Sequence, residues 1–533
     1  MDVGGQQHNV NELLDGHVVL DVECLDRIYL NAYVPVLQVG GQVVNFLTRH
    51  LGYAIPSPAL FAKLGNKFRA EVANFARRRR IPMVQFKKGQ RKAEVMRPYL
   101  EKATRPGVVA IGVAQEFQSV MVGYQRERPA GSGGAPHFGF QKSDRRVTVY
   151  YFYIWDSEFG PGFIKICSYF PYPAKVWLNG HEWSKQQAKL EGVGFTELAN
   201  GFASCAEAAR LQAICDRLGP EQIQAFFERW MERIPSPLDP AAKARGYWWE
   251  LSLRQVEISK TLVFDAPRRA RGFFESLIAD NLDLGRPHEI ELIFGRQVRK
   301  NTRGEFSTRV ITQDTQVRLN LAYRKSRIKQ YLKEGRALRI ELVCNSPDDL
   351  GCQRRLCNLP ELQAKARAAN RRLLRIERAG QGCAISTTLL ERVQQPSIKE
   401  GQRSGALRFG DERAMALAGA LCAHIHAVSG FTNRSLRAQV AALLGTPYSA
   451  AQMTYDLRRL RLKGLVHRIP KSHAYVLTPD GTRVAIFYTK LHNRLLRPLL
   501  AADYPPAPLQ LRQALRTIDR CLEDYVGHAM IAA

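Results

Sequence analysis

The chain contains no uncharged apolar run of eighteen residues, so nothing in it reads as a membrane-spanning helix. The stretch from Met1 to Asn11 lacks the basic residues and apolar run of a secretory signal, and a cytoplasmic protein with no membrane partner is expected. Ten cysteines are scattered over 533 residues, which argues against a disulfide framework. Cys344, Cys352 and Cys357 cluster, but without the paired C-x2-C spacing of common zinc sites. There is no Walker loop and no glycine-rich dinucleotide fingerprint, which excludes nucleotide-driven motor and redox chemistry of those kinds. His181-Glu182 is followed by Lys185 where H-E-x-x-H needs a second histidine, so a zincin is excluded too.

Acidic residues are also scarce: 49 Asp and Glu face 78 Lys and Arg, a formal net charge of +29. Such a surplus points to a polyanionic partner. It is concentrated in three zones, with +10 over residues 51–100, +10 over 301–400 and +8 over 451–500, whereas residues 151–250 carry −2. A uniformly solubilising surface would not be so uneven, and DNA, with RNA as a further candidate, is the expected partner.

Apolar residues make up 45% of the chain, enough for sizeable cores in roughly three or four units at about 150 residues each. Periodicity gives an α+β protein: a mixed α/β domain over 1–128, an α+β central region over 140–378, a linker over 379–410, a module over 411–500 and a helical tail over 501–533. The Gly/Pro/Ser-rich segment 129–139 reads as a loop. VTVYYFYIWD and FIKICSYF flank a hairpin that continues into AKVWL, and Asn179 opens a helix to about Leu190. Further strands are expected near 247–258, 289–294, 306–312, 317–323 and 336–344, and an arginine-studded helix over 360–378. No internal repeat is visible.

The module at 411–500 carries the most specific pattern. A helix from Asp411 is followed by a second, capped by Asn433 and closed by Gly445, and by a third capped by Ser449. Met453, Leu457 and Leu460 share one face of that third helix, while Gln452, Arg458, Arg459 and Arg461 project from the others. LVHRIP, Lys471-Ser472-His473 and AYVLTP then form a two-stranded wing with a basic tip, and Asp480 opens a last helix. This succession resembles the MarR-like winged helix-turn-helix domains of bacterial regulators. The resemblance implies a third helix in the major groove and a wing on phosphate, with Ser449, Gln452, Thr454, Tyr455, Arg458, Arg459, Lys471 and His473 as contacts. As a whole the chain resembles a bacterial protein family that carries no assigned activity, through Asp26 to Pro35, Tyr150 to Trp183 and Tyr323 to Asn345.

Two other basic zones complete the expected nucleic-acid surface: Arg77, Arg78, Arg79, Arg80, Lys87 and Lys88 in one, and Lys325, Arg327, Lys329, Lys333 and Arg336 in the other. In the second, Tyr323 and Tyr331 interleave with cations, the combination that stacks on unpaired bases while neutralising phosphates. Metal-assisted phosphodiester cleavage needs converging carboxylates. Asp26, Glu116, Glu257 and Glu341 are acids in strand patterns, where a carboxylate needs a partner or a metal. They are the candidate catalytic residues, with Asp26, Glu116 and Glu341 as ligands for Mg²⁺. The expected function is therefore nucleic-acid binding with metal-dependent DNA processing of the nuclease or transposase kind found in mobile elements. The alternative is a non-enzymatic DNA- or RNA-binding regulatory or architectural protein.

Overall fold

The computed structural model describes residues 14, 16–125, 137–280, 293, 294, 296, 303–313, 316–379, 385–399, 401–422, 431–470, 472–492, 517 and 520. The chain divides into two compact units, residues 13–290 with 294–371, and residues 372–533 with 1–12 and 291–293.

The first unit is α+β. Its strands are β1 (Val18–Tyr33), β2 (Met83–Gln85), β3 (Gly107–Gln125), β4 (Phe138–Asp156), β5 (Gly160–Cys167), β6 (Ala174–Asn179), β7 (Phe195–Leu198), β8 (Gly201–Cys205), β9 (Glu250–Phe264), β10 (Glu305–Gln313), β11 (Gln316–Arg324), β12 (Ser326–Lys333) and β13 (Ala337–Cys344). All but β7 and β8 join one sheet in the order β10-β11-β12-β13-β9-β1-β6-β5-β4-β3-β2, in which only the β2–β3 pair is parallel. The expected hairpin is β4–β5 with β6 beyond it. Residues expected in separate domains on either side of the segment 129–139 lie in this one sheet, because β3 pairs with β4 from Gly107–Trp155 to Gln125–Phe138; Phe138 and Gly139 of the expected loop belong to β4, and 129–136 lie outside the described residues.

Although the sequence shows no repeat, the strand order is the same twice over. β1 is flanked by β6-β5-β4-β3 and β9 by β13-β12-β11-β10, each a meander whose last strand returns beside the first strand of its half. The two halves join through the antiparallel β1–β9 pair at the centre. Both central strands bury apolar residues, Val22, Leu25, Ile28 and Leu30 on β1 and Val256, Ile258, Leu262 and Val263 on β9, which suits strands packed on both faces. The register of that pair slips between Leu25–Ile258 and Arg27–Glu257, leaving Asp26 as the extra residue of a β-bulge.

Helices close the unit. Asn179 caps helix Gly180–Leu190, its side chain accepting from His181 N at 3.0 Å, and Trp183 is buried as expected. Helix Leu359–Ala379 buries Leu362, Ala366 and Ala369 and is tied to β9 where Asn370 Nδ2 donates to Ile258 O at 2.9 Å. Helix Ala208–Asp216 completes the free edge of β1, with Gln212 bonding both Glu23 N (2.8 Å) and Glu23 O (2.9 Å). The strand expected near 289–294 is not one where it is described: Ile293 and Phe294 are helical. Phe294 instead stacks on Tyr323 at 4.5 Å, so Tyr323 is a core residue rather than a surface for bases.

The second unit has its own apolar core, built on Leu417, Leu421, Leu436, Val440, Met453, Leu457, Leu460 and Tyr488. Helix Glu412–Cys422 leads to a short strand Phe431–Thr432, helices Asn433–Leu444 and Ala450–Leu462, a hairpin Val466–Arg468 with Ala474–Leu477, and helix Pro479–Leu491. The three strands pair in the order Phe431–Thr432, Ala474–Leu477, Val466–Arg468. Thr432, not Asn433, caps the second helix, because its hydroxyl meets Ser435 N at 3.2 Å. The region expected as a linker holds a helix, Thr387–Gln394, and a hairpin, Ser397–Lys399 with Gln402–Ser404. The expected tail lies outside the described residues apart from Thr517 and Arg520. Among the described residues no helix is long and apolar enough to cross a membrane.

Candidate functional site

The centre of the sheet gathers three of the four expected carboxylates. Asp26 on the β1 bulge, Glu257 on β9 and Glu341 on β13 each present an oxygen within 4.8 Å of the other two, and all three are buried. Register explains the meeting. Glu257 faces Val343 across the β9–β13 pair, and Glu341 stands two residues before Val343 on the same side of the sheet. The bulge supplies Asp26, which regular alternation would not.

Their environments differ. Burial raises the Asp26 carboxyl, but Arg339, His181 and Arg27 more than compensate and hold it well below the usual carboxylate range. Arg339, with no exposed surface, donates from Nη2 to Asp26 at 2.7 Å and from Nη1 to Asn200 O at 2.8 Å. Nη2 also meets His181 Nε2, and Ser259 Oγ lies 3.1 Å from the same nitrogen. Asn200 donates to Asp26 and is itself held by Asn179 Nδ2 at 2.9 Å.

Glu341 accepts from Tyr331 Oη at 3.0 Å and from Lys329 Nζ at 3.3 Å. Glu257 is the least satisfied. Burial first, then the Glu341 and Asp26 charges, push its carboxyl up to about 7. One oxygen takes Gln255 Nε2 at 3.2 Å, while Oε2 is buried without a hydrogen bond and has only Arg27 at 3.8 Å. A buried carboxylate oxygen left over in a cluster of hard oxygen donors fits a divalent cation better than it fits a closed salt-bridge network. A cavity of about 630 Å³ opens beside it, with Arg27 and Glu257 at one end and Lys92 and Tyr151 at the other.

Neither a family model, nor a curated protein, nor a solved structure matches this chain. Its chemistry has to be read from its own residues.

Glu116 does not join the other acids. It sits on β3, four strands from β1, or about 19 Å at the usual spacing of about 4.8 Å per strand. Lys165 and Lys92 both bond its carboxylate, and Tyr151 Oη donates to it at 2.6 Å. Against the effect of burial, these three contacts hold it at about 2. Of the expected ligands Asp26, Glu116 and Glu341, Glu116 stands apart, and the three acids that converge are Asp26, Glu257 and Glu341. Asp21, on the same strand as Asp26, is bound by Lys260 at 2.7 Å.

The expected basic residues fall into two groups. Arg77, Arg78, Arg79 and Arg80 are exposed at the C-terminal end of helix Ala59–Arg79, and Lys87 and Lys88 are exposed in the turn after β2. Lys325, Arg327 and Arg336 are exposed, whereas Lys329 is spent on Glu341 and Lys333 is half-buried. In helix Ala450–Leu462, Gln452, Thr454, Tyr455 and Arg458 are exposed. Ser449 and Gln452 cap each other's backbone at 3.1 and 2.8 Å. Arg459 is not a free cation: it bonds Asp456 at 2.9 Å and the Ala406 carbonyl. His473 is exposed, and Lys471 lies outside the described residues.

Arg339, His181 and Asn200 were not singled out from the sequence as site residues. One signal was present: in RIELV, Arg339 and Glu341 stand two apart in an otherwise apolar strand, so both must face one side of the sheet and both need partners there.

Proposed function

We propose that this chain is a nucleic-acid-binding protein that carries out metal-dependent phosphodiester chemistry at Asp26, Glu257 and Glu341. The observation that carries this is the meeting of three buried carboxylates, of which Glu257 Oε2 takes no hydrogen bond and has only Arg27 at 3.8 Å, beside a cavity lined by Arg27 and Glu257. A divalent cation such as Mg²⁺, held by these oxygens, would supply Lewis-acid stabilisation of charge on a phosphoryl oxygen and a more acidic water. The protein's own residues do the rest. Arg339 and Asn200 fix the Asp26 carboxylate, and Tyr331 and Lys329 orient Glu341. Arg27, half exposed beside Glu257, is placed to take a phosphate oxygen.

For the second unit the reading is a winged helix-turn-helix fold, with helix Ala450–Leu462 as the recognition helix and the hairpin 466–477 as the wing. The exposed Thr454, Tyr455, Arg458 and Arg461 support it, and Arg459 leaves the contact set because Asp456 holds it. The second reading of the whole protein, a binder without chemistry, is favoured by one observation: Asp26 is already matched by Arg339.

Labelled single-stranded and duplex DNA and RNA incubated with Mg²⁺ or EDTA separate the two. Cleavage that needs Mg²⁺ and is lost in Glu257→Gln and Glu341→Gln, both still folded, supports the enzyme. Intact substrate under every condition, with tight salt-sensitive binding, leaves the binder.

A further inference from the structure

The face of the sheet that carries Glu257 and Glu341 continues into a row of aromatic rings. Tyr29 on β1 lies opposite Trp177 on β6, Trp177 opposite Phe163 on β5, and Phe163 opposite Tyr153 on β4. Directly opposed residues on adjacent strands share a face, so these four form one line across four strands. Trp177 and Phe163 stack with centroids 5.8 Å apart and planes 10° apart, while Tyr29 and Tyr153 meet Phe163 at 5.9 and 5.5 Å. Tyr29, Phe163 and Trp177 are half-buried, so the row has free surface, and it lines the same 630 Å³ cavity as Glu257.

The neighbouring rows explain what would lie on it. Two residues back along β1, Arg27 pairs with Glu257. Two residues on, Asn31, Lys175, Lys165 and Tyr151 stand in register on β1, β6, β5 and β4. Arg254 lies over the Tyr29 ring at 5.6 Å, and Lys92 over Tyr151 at 4.6 Å. The aromatic row therefore runs between the carboxylate site on one side and, on the other, a row that carries Lys175 and the Glu116-bound Lys165. Partly exposed aromatic rings flanked by cations match one polymer well. Exposed bases offer π-faces to the rings, and the phosphates that link them offer charge to Lys175, Arg254 and Arg27. Duplex bases are stacked on one another and cannot present those faces.

We propose that Tyr29, Trp177 and Phe163 form a stacking platform for unpaired bases, so that the nucleic acid taken at this face is single-stranded. The placement of a scissile bond at Glu257 rests on the reading given under Proposed function; the stacking itself does not. DNA and RNA share the chemistry, and the experiment distinguishes them.

The test uses the full chain in EDTA, with fluorescein-labelled oligo-dT and oligo-rU read by anisotropy. Trp177→Ala should weaken binding about tenfold, the range expected for one lost base–aromatic stack, while Trp177→Phe keeps most of the affinity. Duplex affinity should not change. Unchanged oligo affinity in a Trp177→Ala protein that melts like the parent overturns the proposal. Because a variant could misfold, the unaltered protein is also crosslinked to 5-iodouracil oligonucleotides and mapped by mass spectrometry. Adducts on Tyr29, Phe163 or Trp177 are expected, and adducts confined to residues 431–477 overturn the platform. If single strands crosslink at Trp177 but no substrate is ever cut, the carboxylate reading fails alone. If cleavage needs Glu257 but crosslinks fall elsewhere, the platform fails alone. The dT and rU arms decide which polymer binds more tightly.

Discussion

Asp26 and Arg339, 313 residues apart in sequence, form an ion pair of 2.7 Å at the junction of the two halves of the sheet, with Arg339 wholly enclosed and Asp26 nearly so. The bulge in β1 turns Asp26 toward β13, and the strand alternation of β13 turns Arg339 toward β1. His181 and Asn200 close the pair from outside the sheet. It is the link through which both halves share one polar centre.

Removing Arg339 should therefore cost far more than a surface charge. Arg339→Met leaves Asp26 buried and uncompensated, and about 3–5 kcal/mol of unfolding free energy should be lost. Asp26→Asn with Arg339→Met together should recover part of that loss, because no net charge is then stranded. Urea denaturation of the two variants beside the parent measures both, and equal losses in the single and double variants would contradict the pairing.

A cation at the three carboxylates should show in stability before any substrate is added. Mg²⁺ or Mn²⁺ at one hundred times its dissociation constant stabilises a folded state that binds it by about 2.7 kcal/mol, seen as a rise in melting temperature. Glu257→Gln should abolish that rise. Without metal the same variant should be no less stable than the parent, because burial and the Glu341 and Asp26 charges already disfavour the Glu257 carboxylate. A marked loss of stability in metal-free Glu257→Gln would instead identify a structural salt bridge with Arg27.

Glu116 makes the opposite forecast, as a structural acid. Its carboxyl is held down to about 2 from an ordinary value of 4.5, so its contribution is present above about 4.5 and is lost as pH falls toward 2. The group is partly exposed, and after solvent screening the effect is on the order of 1–2 kcal/mol. Chemical denaturation between pH 5 and pH 2.5 should fall more steeply for the parent than for Glu116→Gln. Parallel curves would mean that Lys165 and Lys92 do not hold this carboxylate in solution.

Two adjacent arginines in helix Ala450–Leu462 should behave differently. Arg458→Ala, exposed, should weaken duplex binding and lower the slope of log affinity against log salt by about one, with the fold intact. Arg459→Ala should mainly lower the stability of the second unit by about 1–3 kcal/mol, because it strips one partner from the buried Asp456. Anisotropy titrations over a salt series and thermal melts of both variants separate the two effects.

The strands, the hairpin and the capped helices could be read from the sequence because periodicity and caps are local. Glu257 and Glu341 could be suspected because an acid in an apolar strand is conspicuous. Which acids meet could not be read, because that depends on strand order. β1 lies beside β9, over 200 residues away, and not beside β3, so Glu116 was grouped with the wrong partners. The repeated strand order is hidden for a related reason. Matching places on the shared face carry different chemistry in the two halves: Trp177 on β6 and Glu341 on β13 each stand two residues from the position paired with the centre of the β1–β9 junction. Arg339 stands in a basic stretch of the sequence, and only the fold encloses it against Asp26, His181 and Asn200. Tyr323 looked like a stacking residue until Phe294 covered it.

Lys175 supplies the last forecast, and its sign follows from its setting. Burial, then the nearby Lys165 and Arg254 charges, bring its ammonium down to about 8, with Glu116 opposing and Lys92 adding to the depression. A lysine so lowered is charged at pH 7 and neutral by pH 9, so its attraction for phosphate is present below about 8 and disappears as pH rises through that value. Single-strand affinity in EDTA should accordingly drop several-fold between pH 7.5 and 9, above the titration of Glu257 near 7 and well before ordinary lysines titrate near 10.4. Lys175→Gln should bind more weakly at pH 7 and lose the drop, and Lys175→Arg should keep the affinity while removing the pH dependence, since a guanidinium stays charged throughout. A parent protein whose affinity is level to pH 9 would show that Lys175 does not touch the strand.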